Sequence, residues 1–101
     1  MLVASKRHAA NLFELTADEA AAVMRTVHHV AQAVQETFQP PGLTLFQANG
    51  KAGDQTVFHF HIHILPRHVD DGVALSWPRK EPPSELLHQY ATQIKNALAN
   101  R

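Results

Sequence analysis

Residues 56–67, TVFHFHIHILPR, place a histidine at every second position, with His59, His61 and His63 separated by Phe60 and Ile62. Successive side chains of a β-strand point to opposite faces, so the run has an imidazole face and an apolar face of Phe58, Phe60, Ile62 and Ile64. Such a strand suits a sheet covered on one side only, with the apolar face on a core and the imidazoles outside it. A strand is predicted over 56–65, stopped by Pro66, which has no N–H for a central ladder.

The flanking sequence says what that sheet packs against. In LTADE, Thr16 stands three residues before Glu19, the spacing at which a hydroxyl and a carboxyl cap a helix start reciprocally. Ala20, Val23, Met24, Val27, Val30, Ala31, Val34 and Phe38 then recur at spacings of three and four, predicting an amphipathic helix over 17–38 that ends before Pro40 and Pro41. LTLFQANG, residues 43–50, reads as a strand running into a turn at Asn49-Gly50, antiparallel to the histidine strand through a loop at about 49–55. Leu2 to Ala4 forms a short apolar strand near the N-terminus. A last helix, capped by Ser84, is expected to present Leu86, Leu87, Tyr90, Ala91, Ile94, Ala97 and Leu98. The chain thus reads as a single domain over 1–101 of class α+β: an antiparallel sheet with two helices.

Composition removes several function classes. Nine basic and nine acidic residues balance, so no global field draws the chain to nucleic acid or to an anionic membrane, and any phosphate recognition has to be local. The chain has no cysteine, which leaves no thiol nucleophile, disulfide or thiolate metal ligand and fits a reducing compartment; a cytoplasmic location is the expectation. No apolar run has the length of a membrane span.

Three readings fit the histidine row. In the first, the imidazoles are merely polar residues on a wet sheet face. Composition speaks against it, because with eight histidines in 101 residues, independent placement fills both further positions with a chance of only about 0.6%. In the second, they bind a metal, but imidazole nitrogens sharing one ion lie about 3.4 Å apart, whereas alternate strand positions are separated by about 6.6 Å. In the third, one imidazole attacks phosphorus while its neighbours bind the charged oxygens. The wide spacing suits a phosphate lying across the row, and an ordinary imidazole carries a free lone pair at neutral pH.

The run HFHIHIL has the pattern His-φ-His-φ-His-φ-φ, with φ apolar, and DQTVFHFHIHILPR closely resembles the Gly-Gln-Ser/Thr-Val-aromatic-His run of bacterial histidine triad (HIT) hydrolases. The similarity extends upstream through LVASKRHAANLFELTADE, so that it covers about residues 2–67. The resemblance implies nucleotidyl transfer to water: attack on the α-phosphate of a purine nucleotide or nucleoside phosphoramidate, or of a dinucleoside polyphosphate, through a covalent nucleotidyl-histidine. Carried over by position, His61 would be the nucleophile, and His63 would donate to a non-bridging phosphate oxygen. His59 would orient His61, partly through its backbone carbonyl. Thr56 matches the family's hydroxyl near the phosphate and leaving group, and Gln55 its loop glutamine. Asn49 lies next to Ala48, which occupies the family's amide position, and would contact phosphate in its stead.

The family fold implied is an antiparallel sheet with two helices, usually a homodimer, and its chemistry needs no metal or other cofactor. Relatives carry a segment before the strand that here begins at Leu2, so the expectation is a HIT-like domain, N-terminally truncated, whose open sheet edge favours a homodimer. An alternative is a HIT module that binds nucleotide or anion weakly, or only dimerises. His8 falls in the family's basic turn and is expected on the surface, as are His28 and His29 on the first helix, Lys6 and Arg67.

Overall fold

Thr16 and Glu19 start the long helix as their spacing predicts. In the computed structural model, which describes residues 1–101, the Thr16 hydroxyl accepts from the Glu19 N–H at 3.1 Å, and the Glu19 carboxylate accepts from the Thr16 N–H at 2.9 Å. The helix, α1, runs Ala17–Phe38 and ends at Gln39, whose left-handed backbone (φ 47°) turns the chain toward Pro40. Three strands, β1 (Leu2–Ala4), β2 (Gly42–Phe46) and β3 (His61–Arg67), form one antiparallel sheet in the order β1-β3-β2. The register pairs Val3 with Ile62 and Leu45 with Ile64. A second helix, α2, spans Ser84–Ala99.

The core lies between one sheet face and α1. Phe60, Ile62 and Ile64 are buried with Val3 from β1 and with Val23 and Val27 from α1; Leu15, Val30 and Leu43 pack at its margin. Ile64 is fully buried, and removing a side chain of that size from water contributes about 2–3 kcal/mol. Because side chains alternate, the packing that buries Ile62 and Ile64 sends His61 and His63 to the other face, where both are half-buried.

Several sequence expectations are corrected. The histidine strand begins at His61 rather than Thr56: residues 47–60 form a long connection with a 3-10 turn at Lys51–Gly53. Phe60 shows why. Its N–H donates to Ala9 O at 2.7 Å and its C=O accepts from Ser5 N, so this stretch pairs with the turn after β1 rather than with residues 47–50. Phe58 is accordingly half exposed, not in the core. Pro66 does not stop β3. Ile64 exchanges backbone bonds with Met1 on the β1 side, and Pro66, two residues later, turns its nitrogen the same way, past Met1, so no bond to β2 is lost.

Ser84 is the first helical residue of α2, not its cap; Pro83 holds the cap position without a side-chain bond. The expected apolar face of α2 exists, but this chain leaves most of it uncovered: Leu86 is partly buried, whereas Leu87, Tyr90, Ile94 and Leu98 are each at least half exposed. Arg67 is not a free surface cation. Its guanidinium forks onto Asp71 (2.8 and 3.3 Å) and reaches Thr44 Oγ1 and Val73 O, tying the start of the irregular 68–83 segment to the sheet. No helix is long and apolar enough to cross a membrane.

Candidate active site

The outer face of β3 and the end of the 47–60 connection bring the three histidines together with a fourth. The most informative contact is local: His61 Nδ1 lies 2.6 Å from the backbone carbonyl oxygen of His59. A carbonyl only accepts, so Nδ1 carries the proton, and in the neutral ring Nε2 holds the lone pair. The backbone of His59 thus selects the tautomer of His61, leaving Nε2 as the ring's one lone-pair nitrogen.

His63 stands beside it, its ring edge-on to that of His61 with centroids 5.0 Å apart and tilted against Phe46 at 5.9 Å. The rings therefore approach more closely than the 6.6 Å backbone spacing suggests, because the side chains lean toward one another along the strand. Burial, the neighbouring His61 and the N-terminal ammonium hold the His63 imidazole below its ordinary pKa. Each of these disfavours the charged ring, so near neutral pH His63 is an uncharged donor. An anion between the two rings would reverse the balance by favouring a proton on His63.

His59 turns away from the pair. Its Nε2 meets Ser5 O at 2.8 Å, with Ser5 Oγ 3.5 Å from the same nitrogen, and its Nδ1 lies 3.3 Å from Nδ1 of His8. The sequence places His8 in a surface turn and offers no role for Ser5. Their only sequence signal is that an antiparallel β1–β3 pair must carry the turn after Ala4 past the residues before His61. No three His, Cys, Asp or Glu side chains converge closely enough to share an ion.

The other expected site residues lie apart. Thr56 is exposed in a cleft of about 450 Å³ that it lines with Lys51, Asp54, Gln55 and Phe58. Asp54 there holds a left-handed backbone (φ 72°), a conformation aspartate tolerates better than most residues. Gln55 is buried, and its amide is spent inside the protein: Oε1 accepts from Gly50 N at 2.7 Å, while Nε2 donates to Val57 O at 3.1 Å and to Ala10 O. Asn49 is similarly committed, pairing with the Gln47 amide through two 2.7 Å bonds and accepting from Leu12 N at 2.8 Å. Both amides shape the connection that delivers His59 and His61, and their side-chain groups are already occupied. A larger cavity of about 570 Å³ lies between β1 and α1, among Val3, Lys6, Arg25 and His29, and includes none of the three strand-run histidines.

This arrangement, a row of imidazoles with one tautomer locked by a backbone carbonyl, coincides with a sequence match: the profile of the HIT domain fits residues 1–70. The chain belongs to the HIT family. Among curated proteins, this HIT protein is similar to Protein hit of Bacillus subtilis, at 38% identity over 101 residues covering 99% of this chain and 68% of that protein. It is also similar to adenosine 5'-monophosphoramidase hnt1 of Schizosaccharomyces pombe, at 33% identity over 98 residues covering 96% of this chain and 71% of that protein. A crystal structure of a HIT family protein from Bacillus anthracis superposes with a TM-score of 0.89 at 36% identity, covering 95% of this chain and 70% of that one. The α+β sheet with two helices is thus a HIT fold.

Proposed function

We propose that this HIT protein hydrolyses a nucleoside phosphoramidate, or a nucleotide phosphoanhydride, at the α-phosphate, through a covalent intermediate on His61. The observation that carries the reading is the 2.6 Å contact between His61 Nδ1 and the His59 carbonyl, which leaves Nε2 as an outward lone pair. The naming of a similar protein as an adenosine 5'-monophosphoramidase supports the substrate class.

In the first step Nε2 of His61 bonds to the α-phosphorus as the bond from phosphorus to the leaving amine or phosphate breaks, and a leaving amine takes a proton from solvent water; water in the second step returns a proton to solvent. As the P–N bond forms, positive charge develops on the imidazole, and the His59 carbonyl oxygen, held against Nδ1–H, stabilises it. His63 donates its N–H to a non-bridging oxygen. Water then attacks phosphorus, the P–Nε2 bond breaks, and a nucleoside monophosphate leaves with the imidazole restored. The family pattern assigns Thr56 to the leaving-group side, and its hydroxyl is exposed in the cleft it shares with Lys51 and Phe58, while Gln55 and Asn49 act by holding the connection in shape. No residue in this sequence of steps requires a metal.

The test is turnover of a fluorogenic adenosine phosphoramidate by wild type and by His61→Ala. Expected is a loss of at least 10³-fold in the variant, since removing a covalent nucleophile abolishes the route it opens. Wild type quenched in alkaline denaturant should carry an alkali-stable, acid-labile adenylyl group that His61→Ala lacks. Equal rates in the two proteins would exclude His61 as nucleophile.

The reading includes a homodimer, supported by the exposed stripe Leu87, Tyr90, Ile94 and Leu98 on α2. Light scattering at tens of micromolar should give twice the monomer mass for wild type and a lower mass for Ile94→Asp; a monomeric wild type would exclude it.

A further inference from the structure

We propose that His8 is a positioning residue for His61, acting through the ring of His59; the inference rests on the hydrolase reading above. His8 lies 51 residues before His59, yet their Nδ1 atoms face each other at 3.3 Å and their rings meet edge to face with centroids 5.2 Å apart. Two lone pairs, or two N–H groups, would repel at that distance, so one proton lies between them. The other side of His59 decides whose it is. Its Nε2 faces the Ser5 carbonyl at 2.8 Å, an oxygen that only accepts, so Nε2 carries the His59 proton. A neutral His59 then presents a lone pair at Nδ1, and His8 Nδ1–H donates to it.

His8 is exposed, but the turn that carries it is bonded on both sides. Before it, the Ser5 hydroxyl donates to Arg7 O at 2.9 Å, and the Arg7 guanidinium forks onto Glu19 at 2.7 and 2.9 Å while also donating to Glu14 O at 2.7 Å. After it, Ala9 is fully buried and its carbonyl takes the Phe60 N–H at 2.7 Å. The cap of α1 and the entry to β3 thus place His8 from opposite directions. His59 is in consequence held at both ring nitrogens, and it is the carbonyl of this same residue that fixes the His61 tautomer. Freeing the His59 ring on the His8 side loosens the peptide whose oxygen keeps the proton on His61 Nδ1. His61 then divides its population between two tautomers, only one of which has its lone pair at Nε2.

Two substitutions separate the hydrogen bond from the packing. His8→Phe keeps a ring and removes the donor. His8→Asn removes the ring and keeps an N–H near the place of Nδ1. Both are followed by phosphoramidate turnover and by long-range ¹H–¹⁵N spectra of the histidine rings, which read tautomers directly. His8→Phe should lower kcat about tenfold, the loss of roughly one net hydrogen bond, with KM within about twofold, and should shift His61 toward a mixture of tautomers. His8→Asn should keep at least about half of kcat and the wild-type His61 spectrum. Wild-type kcat and an unchanged His61 tautomer in His8→Phe would overturn the proposal, and so would an equal loss in both variants. If His8→Phe does not fold, His8→Asp, which offers only acceptors when ionised, replaces it with the same expectation. Should the wild type itself prove inactive, the hydrolase reading fails, and the spectra still decide the positioning role.

Discussion

Gln55→Glu is nearly isosteric, yet it inverts the chemistry of a buried anchor. The wild-type amide is 4% exposed, accepts from Gly50 N–H and donates to the carbonyls of Val57 and Ala10. At a net 0.5–1.5 kcal/mol each, three such bonds contribute about 3 kcal/mol. A carboxylate keeps the bond from Gly50, but it sets an oxygen against two carbonyl oxygens and buries a charge. The expected destabilisation at pH 7 is about 3 kcal/mol or more, which for a domain of this size lowers the melting temperature by roughly 12–25 °C.

The pH dependence has a definite sign. Burial raises the new carboxyl's folded pKa above its unfolded value of about 4.3, so protonated it regains one donor; that stabilisation is complete below about 4.3 and is lost as pH rises through the folded pKa. The deficit relative to wild type, each protein melted at the same pH and followed by circular dichroism, should therefore narrow from pH 7 to pH 5. A melting temperature within about 2 °C of wild type at pH 7 would refute the internal role of Gln55, and so would a deficit that widens on acidification.

Ile64→Ala should cost about 2–5 kcal/mol in urea unfolding, because the side chain is fully buried between sheet and α1; less than about 1 kcal/mol would contradict that packing. The fork from Arg7 and the bonds from Thr16 hold the Glu19 carboxyl down to about 2. Its stabilisation is therefore present above the unfolded value near 4.3 and lost as pH falls toward 2, so the difference between wild type and Glu19→Gln should vanish over that range in acid unfolding curves. For His63, held down first by burial and then by its neighbour, an NMR titration should give a midpoint below about 6.5, and His61→Phe should raise it by removing the imidazole that opposes a charge there; an unmoved midpoint would count against coupling between the two rings.

Much of the site was readable from the run at 56–67 because alternation is a local property. Once Phe60, Ile62 and Ile64 seek a core, His61 and His63 must face the other way, whatever the rest of the chain does. The start of α1 was equally readable, since both partners of its cap lie within four residues. Failures occurred where a distant element supplied the deciding hydrogen bond. Thr56 to Phe60 alternate like a strand, but Ser5 and Ala9 take the Phe60 backbone groups, and Gln55 bonds the neighbouring connection to Ala10. Pro66 reads as a stop, yet its nitrogen faces the β1 side beyond the last β1–β3 bond, which Met1 and Ile64 make, so the β2 ladder is intact. Gln55 and Asn49, read as phosphate contacts, have their amides filled from within.

Alternation alone names the atoms available for chemistry: His61 and His63 share one strand face, with Ile62 and Ile64 opposite, because side-chain direction follows from the backbone repeat. The three-dimensional arrangement supplies the rest: the His59 ring is met by Ser5 and His8 from a distant turn, and the bend of the chain at residues 59–61 sets the His59 carbonyl against His61 Nδ1. A proton on imidazole moves between two nearly equivalent nitrogens, and no local pattern distinguishes them; the choice is made by whichever acceptor the fold brings within hydrogen-bonding distance.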